Sequence, residues 1–466
     1  MYLVAALKQA GHEVHFIDTA LEDGWEEHAV KLAPDVIGYS VLTGSQGYFL
    51  GVNARLKRRM KFLSLWGGPH PTFFPEFIDE KEVDVLCIGE GDQAIVEIAN
   101  AVDRGRTLDS IANLHVKGAG GVVRNDPRPL VQDIDALPHP DRSILVSYPQ
   151  YRYVTSRAVI ASRGCPHACT FCYNSRLRSL YKGNGRYTRL RSVDSIIEEC
   201  STHMQDQWAT QIIFKDDLFA HDEGFVHDFS QSYRREIGMP FLCNVRADRM
   251  TERMADDLAR AGARVVHFGV ESGNDRVRRE ILGRPISRQS MVNTARWLRE
   301  RGILVYTFNI IGIPGETPEE AMETLEFNAS LHPHLAVFTL FQPYPKTPLG
   351  DRAVAMGWSD PGYEGFSPTY YKNSMKHLPH ERTYRNMVHL FPVAVRSRLF
   401  RRLVPRLLRL PFTPLYSAVD FTFKATRFVF TLGIVPPRDI ALYSGRWVPS
   451  RPPRRRPSPG TWRNVS

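Results

Sequence analysis

Short apolar runs separated by longer, mixed stretches set the rhythm of the first third of the chain. Tyr2–Lys8 reads as a helix stopped at Gly11. Val14–Ile17, Val36–Val41, Phe62–Trp66 and Val83–Ile88 read as strands. Strands divided by helical stretches predict a parallel sheet with crossover helices. Three of these strands run into turns of small or polar residues: Ser40-Val-Leu-Thr43-Gly44, Gly67-Gly68-Pro-His70-Pro-Thr72 and Ile88-Gly89-Glu90-Gly91-Asp92. Ligands of open α/β sheets bind at such carboxyl-end loops, and glycine lets a bulky molecule approach the backbone.

Gly118–Ser147, rich in Pro, Asp and Gly, predicts a hairpin and then a linker. The rhythm resumes with strands near Ala158–Ser162, Gln211–Lys215, Phe241–Arg246, Val265–Val270, Leu304–Ile311 and Leu335–Leu340. Helices between them include Val193–Met204, Glu252–Ala261, Arg288–Arg301 and Pro318–Leu331. Six successive βα units predict a partial barrel with its active site at the strand carboxyl ends. The expected division is a doubly wound domain at 1–117, a linker at 118–152, the partial barrel at 153–350, a helical region at 351–450 and a disordered basic tail at 451–466.

A chain of 466 residues predicts two or three domains, and 43% hydrophobic with 24% charged residues is ordinary for a globular protein. No signal peptide and no uninterrupted apolar run of transmembrane length is evident. The net charge of +10 is concentrated: Phe391–Ser466 holds fifteen Lys/Arg against two Asp/Glu, +13, so the preceding residues sum to 10 − 13 = −3. Within Val393–Leu410, Leu399, Phe400, Leu403, Val404, Leu407 and Leu408 recur at helical spacing. Arg398, Arg401, Arg402, Arg406 and Arg409 fill the other face, and Pro405 should kink it. Such a basic amphipathic helix suits an anionic membrane surface or, equally, a lid docked on the barrel. Phe412–Val435 is aromatic-rich but interrupted by Asp420, Lys424 and Arg427, a pattern that lies on a bilayer without crossing it.

Half of the six cysteines fall in one window, Cys165-Pro-His167-Ala-Cys169-Thr-Phe171-Cys172. Three thiolates at C-x3-C-x2-C spacing can hold a [4Fe–4S] cluster and leave one iron open. Structural zinc is the competing reading, with His167 inside the motif, but zinc ligands usually come as two separated pairs and no second pair is present. The scattered remaining cysteines, Cys87, Cys200 and Cys243, do not make a disulfide framework, and reduced thiols fit a cytoplasmic setting.

Arg163-Gly-Cys165-Pro-His-Ala-Cys169-Thr-Phe-Cys172 resembles the cluster loop of radical S-adenosylmethionine (SAM) enzymes, and the Gly-Gly-Pro-His-Pro-Thr and Ile-Gly-Glu-Gly turns resemble the cobalamin-binding domain that precedes many of their barrels. The likeness covers roughly residues 1–350. It implies an α/β fold: a doubly wound, Rossmann-like cobalamin domain lacking its first strand, a partial (β/α)6 radical SAM barrel and a helical basic C-terminal region. It implies a [4Fe–4S] cluster on Cys165, Cys169 and Cys172, with SAM chelating the open iron. Phe171 would face the adenine, Asp216 and Asp217 (Phe214-Lys-Asp-Asp-Leu-Phe219) the amino group, Arg246 the carboxylate, Glu271 the ribose hydroxyls, and Gly312 would admit the ligand to the backbone. Ser40, Thr43, Gly44, Gly67, Gly68, His70, Gly89, Glu90 and Gly91 would line cobalamin. The D-x-H-x-x-G cobalt-ligating motif is missing, and His70 serves either the cofactor or its own turn. The implied chemistry is cleavage of SAM to a 5′-deoxyadenosyl radical, with electrons from flavodoxin or ferredoxin. Methyl transfer to an unactivated carbon of a small molecule follows, or oxidative cyclisation of a tetrapyrrole ester. A methylthiotransferase of tRNA would need a second cysteine trio, so no nucleic-acid partner is expected. A zinc-stabilised membrane adaptor would explain the tail but not the ordered strand-end motifs.

Overall fold

The computed structural model describes residues 1–146, 148–206, 208–362, 366 and 375–427. Two sheets organise them. The first runs in the order β1 (Val36–Ser40), β2 (Leu63–Gly67), β3 (Val85–Cys87), β4 (Leu114–Gly118) and β5 (Gly121–Arg124). β1 to β3 are parallel, and β4 and β5 add an antiparallel hairpin. Helix Gln46–Lys57 crosses from β1 to β2, and helix Asp92–Asp103 follows β3 and packs against Tyr2–Gln9. Tyr39, Val41, Trp66, Phe77 and Leu86 fill one side of the sheet; Leu65, Val85, Ile98 and Leu114 fill the other. Both faces are covered, so the parallel strands read as unbroken apolar runs.

The expected strand at Val14–Ile17 is irregular backbone. A strand exists only through a neighbouring ladder, and among the described residues none pairs with this segment. β1, which would lie nearest it in sequence, bonds only β2. Ile17 instead packs on the core flank, and Phe16 meets Tyr148 edge-on at 5.9 Å.

The second sheet is the partial barrel. It comprises β6 (Ser156–Val159), β9 (Gln211–Phe214), β10 (Phe241–Val245), β11 (Ala263–Glu271), β12 (Leu304–Ile311) and β13 (Leu335–Leu340), all parallel and adjacent in sequence order. A separate pair, β7 (Ser162–Arg163) and β8 (Arg189–Leu190), continues from β6 and frames the cysteine loop. The crossover helices begin at defined caps: Ser192, Asp222, Thr251 and Ser287 each accept a backbone N–H three residues on, and Thr317 forms a full capping box with Glu320. Between helices and sheet, Phe214, Phe229 and Tyr233 each meet Phe241 edge to face, and Phe229 and Tyr233 lie tilted against one another. Burying each such ring contributes about 1.5–3 kcal/mol.

The C-terminal region is not one kinked helix. Glu381–Arg396 ends at Ser397, whose hydroxyl accepts from Phe400 N–H and starts Arg398–Leu407. Pro405 lies inside that second helix, and Thr413–Thr426 follows. These helices pack on the β13 side of the barrel through Met387, Leu390, Phe391, Val404 and Tyr416. Among the described residues no helix is long and apolar enough to cross a membrane. The expected disordered tail at 451–466 lies outside the described residues.

Candidate functional site

The cysteine loop leaves the first barrel strand at the carboxyl mouth. Gly164 turns it with φ +82°, and a Cβ there would stand 2.4 Å from the Tyr187 carbonyl oxygen, so only glycine fits. Asp216, at the end of β9, is buried and accepts from Ala161 N–H (3.1 Å) and the Ser162 hydroxyl (2.5 Å). It therefore fastens the start of the loop, while Asp217 is exposed at the mouth. Burial, opposed by these hydrogen bonds, pushes the Asp216 carboxyl up to about 6. On the far side, Thr170 N–H donates to Leu282 O (3.1 Å) and its hydroxyl to Ile281 O (2.7 Å). This anchors the loop on the π-helical turn Val277–Ile281.

Cys169 is buried between two guanidiniums: Arg246 Nη1 lies 3.7 Å and Arg284 Nη1 3.9 Å from its sulfur. Arg246 is held by Asp248 at 2.7 Å, and Arg284 by the Gly269 carbonyl at 3.0 Å. Two guanidiniums thus place positive charge and N–H donors beside one sulfur of the loop. Among the described residues no three His, Cys, Asp or Glu side chains converge around a single metal ion. A tetrahedral zinc needs its sulfurs about 2.3 Å from one point, whereas a four-iron cube takes each thiolate on a separate iron. The donor set fits the cube.

Glu271 closes β11 with φ +61°, a left-handed conformation that L-residues adopt at a cost of about 1–2 kcal/mol. A register shift at Gly269/Glu271 lets its carboxylate fold over Gly269, where a Cβ would meet Oε1 at 1.9 Å. Burial raises the Glu271 pKa, and the charges of Arg284 and Arg246 pull it back. Gly312 (φ +73°) donates its N–H to Glu316 at 2.7 Å. Phe171 packs on the apolar cluster shared with the C-terminal helices.

The loops after β1, β2 and β3 lie together at one edge of the first sheet. They bring Ser40, Thr43, Gly44, Gly67, Gly68, His70, Gly89, Glu90 and Gly91 to the same side. His70 is fully buried, set edge-on to Phe77 at 4.8 Å, and burial pushes it down to about 4. Gly68 (φ +94°) passes within 3.0 Å of Val41 backbone atoms, measured from its ideal Cβ.

This edge faces the barrel mouth directly. Phe73 stacks on Tyr173 at 4.4 Å, the residue after Cys172, and Tyr173 meets Tyr344 at 4.6 Å. Arg163 grips Asp92 through both guanidinium nitrogens (2.7 and 3.0 Å) and reaches Glu90 at 3.1 Å; Arg189 binds both oxygens of Glu90. Glu90 N–H donates to the Tyr181 hydroxyl at 2.8 Å, and a Cβ on Gly89 would lie 1.8 Å from that oxygen. The Ile-Gly-Glu-Gly turn is thus locked to the cysteine loop, with the Glu90 carboxylate engaged by arginines. Arg284 and this arginine lock escaped the sequence reading, because Arg284 follows a helical turn rather than a strand end and the lock joins distant segments.

Two family models match the chain: the B12 binding domain over residues 1–99 and the radical SAM superfamily over 159–327. An uncharacterised methyltransferase of Pyrococcus horikoshii is 31% identical, over 76% of this chain and 77% of its own length. An anaerobic magnesium-protoporphyrin IX monomethyl ester cyclase of Rubrivivax gelatinosus is 24% identical, over 74% of this chain and 64% of its own. A cytidylyl-2-hydroxyethylphosphonate methyltransferase of Streptomyces wedmorensis is 22% identical, over 79% and 80%. Among solved structures, the radical SAM methyltransferase TsrM of Kitasatospora setae with cobalamin and cluster bound superposes with a TM-score of 0.65 at 21% identity, over 77% of this chain and 75% of that one. In this chain three thiols, one of them between two arginines, stand at a barrel mouth faced by the loop edge of a Rossmann-like sheet. The chain belongs to the cobalamin-binding radical SAM enzymes, and its cofactors are a [4Fe–4S] cluster, SAM and cobalamin.

Proposed function

We propose that this enzyme methylates an unactivated carbon of a small molecule. When bound, the cluster with SAM supplies a hydrogen-abstracting radical and cobalamin supplies the methyl group. The observation that carries the reading is the convergence of Cys165, Cys169, Cys172, Arg246, Arg284 and Glu271 at one mouth, opposite the Ser40–Gly44, Gly67–His70 and Gly89–Gly91 loops.

In this reading the three cysteines hold the cluster. Arg246 and Arg284 pair with the SAM carboxylate, a task suited to guanidinium geometry. Glu271 accepts the ribose hydroxyls, Asp217 faces the amino group, and Gly312 and Phe171 border the adenine. Asp216 acts one step back, by fixing the loop. Ser40, Thr43, Gly44, Gly67 and Gly68 line cobalamin. His70 stabilises its turn, consistent with its burial against Phe77. Glu90 and the flanking Gly89 and Gly91 set the approach of the two halves. A small-molecule substrate and a one-electron reductant complete the system, with flavodoxin or ferredoxin in a reducing cytoplasm as the source of electrons.

The test supplies SAM with a deuterated methyl group, dithionite and hydroxocobalamin to anaerobic enzyme, with substrates drawn from a metabolite comparison against a deletion strain. A product carrying the labelled methyl supports the reading. The cyclase relatives favour a second outcome: a new ring and carbonyl without label, which assigns cyclisation.

The C-terminal helices extend the proposal to a peripheral contact with anionic lipid. Leu399, Leu403 and Leu410 are exposed beside Arg398, Arg402, Arg406 and Arg409, and Phe412, Leu415 and Val419 continue the apolar exposure. Co-sedimentation with phosphatidylglycerol but not phosphatidylcholine vesicles, lost in L399E/L403E, is expected. No sedimentation with either leaves these helices as a lid on the barrel.

A further inference from the structure

Ladder register fixes which side chains point into the barrel. Ala158, Ile213, Leu242, Val265 and Leu304 are cross-strand neighbours and form one inward tier. Two residues further along each strand come Ile160, Lys215, Asn244, His267 and Tyr306, and beyond them Gly269, Phe308 and Val337. Phe423 closes the lower end, packed against a buried cluster of Leu242 and Val265 from the first tier with Tyr306 from the second and Leu335 beside it. The upper tiers are only partly filled: Phe308 is 39% exposed, Lys215 is exposed, and Asn244, His267 and Val337 are half-buried, whereas the outward neighbours Val159, Phe214 and Phe268 are 1% exposed. A closed eight-stranded barrel fills this space with side chains; here the inward face at the strand carboxyl ends, where the cysteine loop also starts, keeps Phe308 and Lys215 exposed and forms a half-open chamber.

The polar groups of that chamber are set up in advance. Asn244 Nδ2 donates to the Asp216 carbonyl at 2.8 Å, which turns its Oδ1 toward His267 Nδ1 at 3.2 Å. The amide orientation therefore places the His267 proton on Nδ1 and leaves Nε2 as an acceptor. Nε2 is buried with no partner. Burial first, and then the charge of Lys215, push His267 down to about 4, so it stays neutral. His267 stacks on Tyr306 at 5.2 Å and meets Phe308 edge-on at 5.4 Å. The Lys215 ammonium has no anionic partner among the described residues.

We propose that the substrate has a flat, apolar body ending in one acidic group, with Lys215 binding the acid, His267 Nε2 accepting a substrate N–H or O–H, and Phe308 covering the flat face. The inference rests on the enzymatic reading above and names its substrate class. Carboxylate and phosphonate share the required chemistry.

Saturation-transfer NMR on the full-length protein, with phenylacetate, benzylphosphonate and benzyl alcohol as probes, tests it without turnover or cluster. The acids should bind at least tenfold more tightly than the alcohol. Lys215→Gln should erase that preference, Lys215→Arg should keep it, and Phe308→Ala should weaken all three probes. The ranking of the two acids identifies the acid preferred. Equal binding of acid and alcohol, or an unchanged preference in Lys215→Gln, overturns the proposal. Loss of SAM cleavage in the loaded enzyme would instead strike the enzymatic reading, because probe binding is measured on iron-free protein.

Discussion

The lock between the Ile-Gly-Glu-Gly turn and the cysteine loop makes a graded prediction. Glu90 is the carboxylate of Arg189, whose side chain is 1% exposed, and it also reaches Arg163. Removing one member of a buried pair costs about 3–5 kcal/mol because the other charge is left uncompensated. Glu90 is itself 27% exposed, and Arg189 keeps the Val131 carbonyl at 2.9 Å, which lowers the expected cost of Glu90→Ala to about 2–4 kcal/mol. Asp92 is the bidentate partner of Arg163, but Arg163 is 20% exposed and retains Glu90, so Asp92→Ala should cost about 1–2 kcal/mol. At about 1.4 kcal/mol per tenfold, hydrogen exchange of the amides from Gly164 to Tyr173 should accelerate roughly thirty- to several-hundred-fold in Glu90→Ala, and roughly five- to thirty-fold in Asp92→Ala. The amides of β11 serve as the internal reference. Equal effects of the two substitutions, or a change under about twofold in Glu90→Ala, would refute the reasoning.

Gly164→Ala should lose most cluster iron, since the new methyl meets the Tyr187 carbonyl at 2.4 Å in a left-handed conformation; a full iron complement in the purified variant contradicts this. Arg284→Gln should raise the SAM concentration for half-maximal deoxyadenosine formation by about tenfold or more with iron content unchanged, as expected for one charge-assisted hydrogen bond; an unchanged value removes Arg284 from the SAM site. Glu316 is held up at about 8 by burial, against N–H groups of Ile313 and Gly312 that pull it down. Its native form therefore binds a proton that the unfolded chain has released, and stability falls as pH rises from the unfolded carboxyl range through the folded pKa. Relative to Glu316→Gln, wild type should lose about 1.4 kcal/mol per pH unit over that window. Parallel stability–pH curves for the two proteins would show that Glu316 is already ionised.

The barrel was legible because each inner strand is a run of apolar residues, such as Leu304–Ile311, ending in a distinctive turn. Order along the chain then equals order in the sheet. Val14–Ile17 has the same local composition but no ladder partner, and a strand's stability resides in the partner. Cys165, Cys169 and Cys172 announce themselves by spacing. Lys215, His267 and Phe308 do not: each sits inside an apolar run, and only the register of four strands shows that they share a chamber. Glu90 reads as a cofactor contact from its turn, yet its carboxylate meets Arg189, 99 residues away. No local pattern encodes such a pairing. At the C-terminus the apolar spacing of Val393–Leu410 is continuous, but Ser397 supplies a side-chain cap, and the cap divides the helix.

The most direct measurement is made on protein purified and reconstituted without oxygen, assayed for iron, sulfide, zinc and SAM cleavage together. The account predicts about four irons and four sulfides per chain and 5′-deoxyadenosine formed on addition of dithionite, all lost in the Cys165→Ala/Cys169→Ala/Cys172→Ala protein. One zinc per chain, or a full cluster that never cleaves SAM, would contradict it.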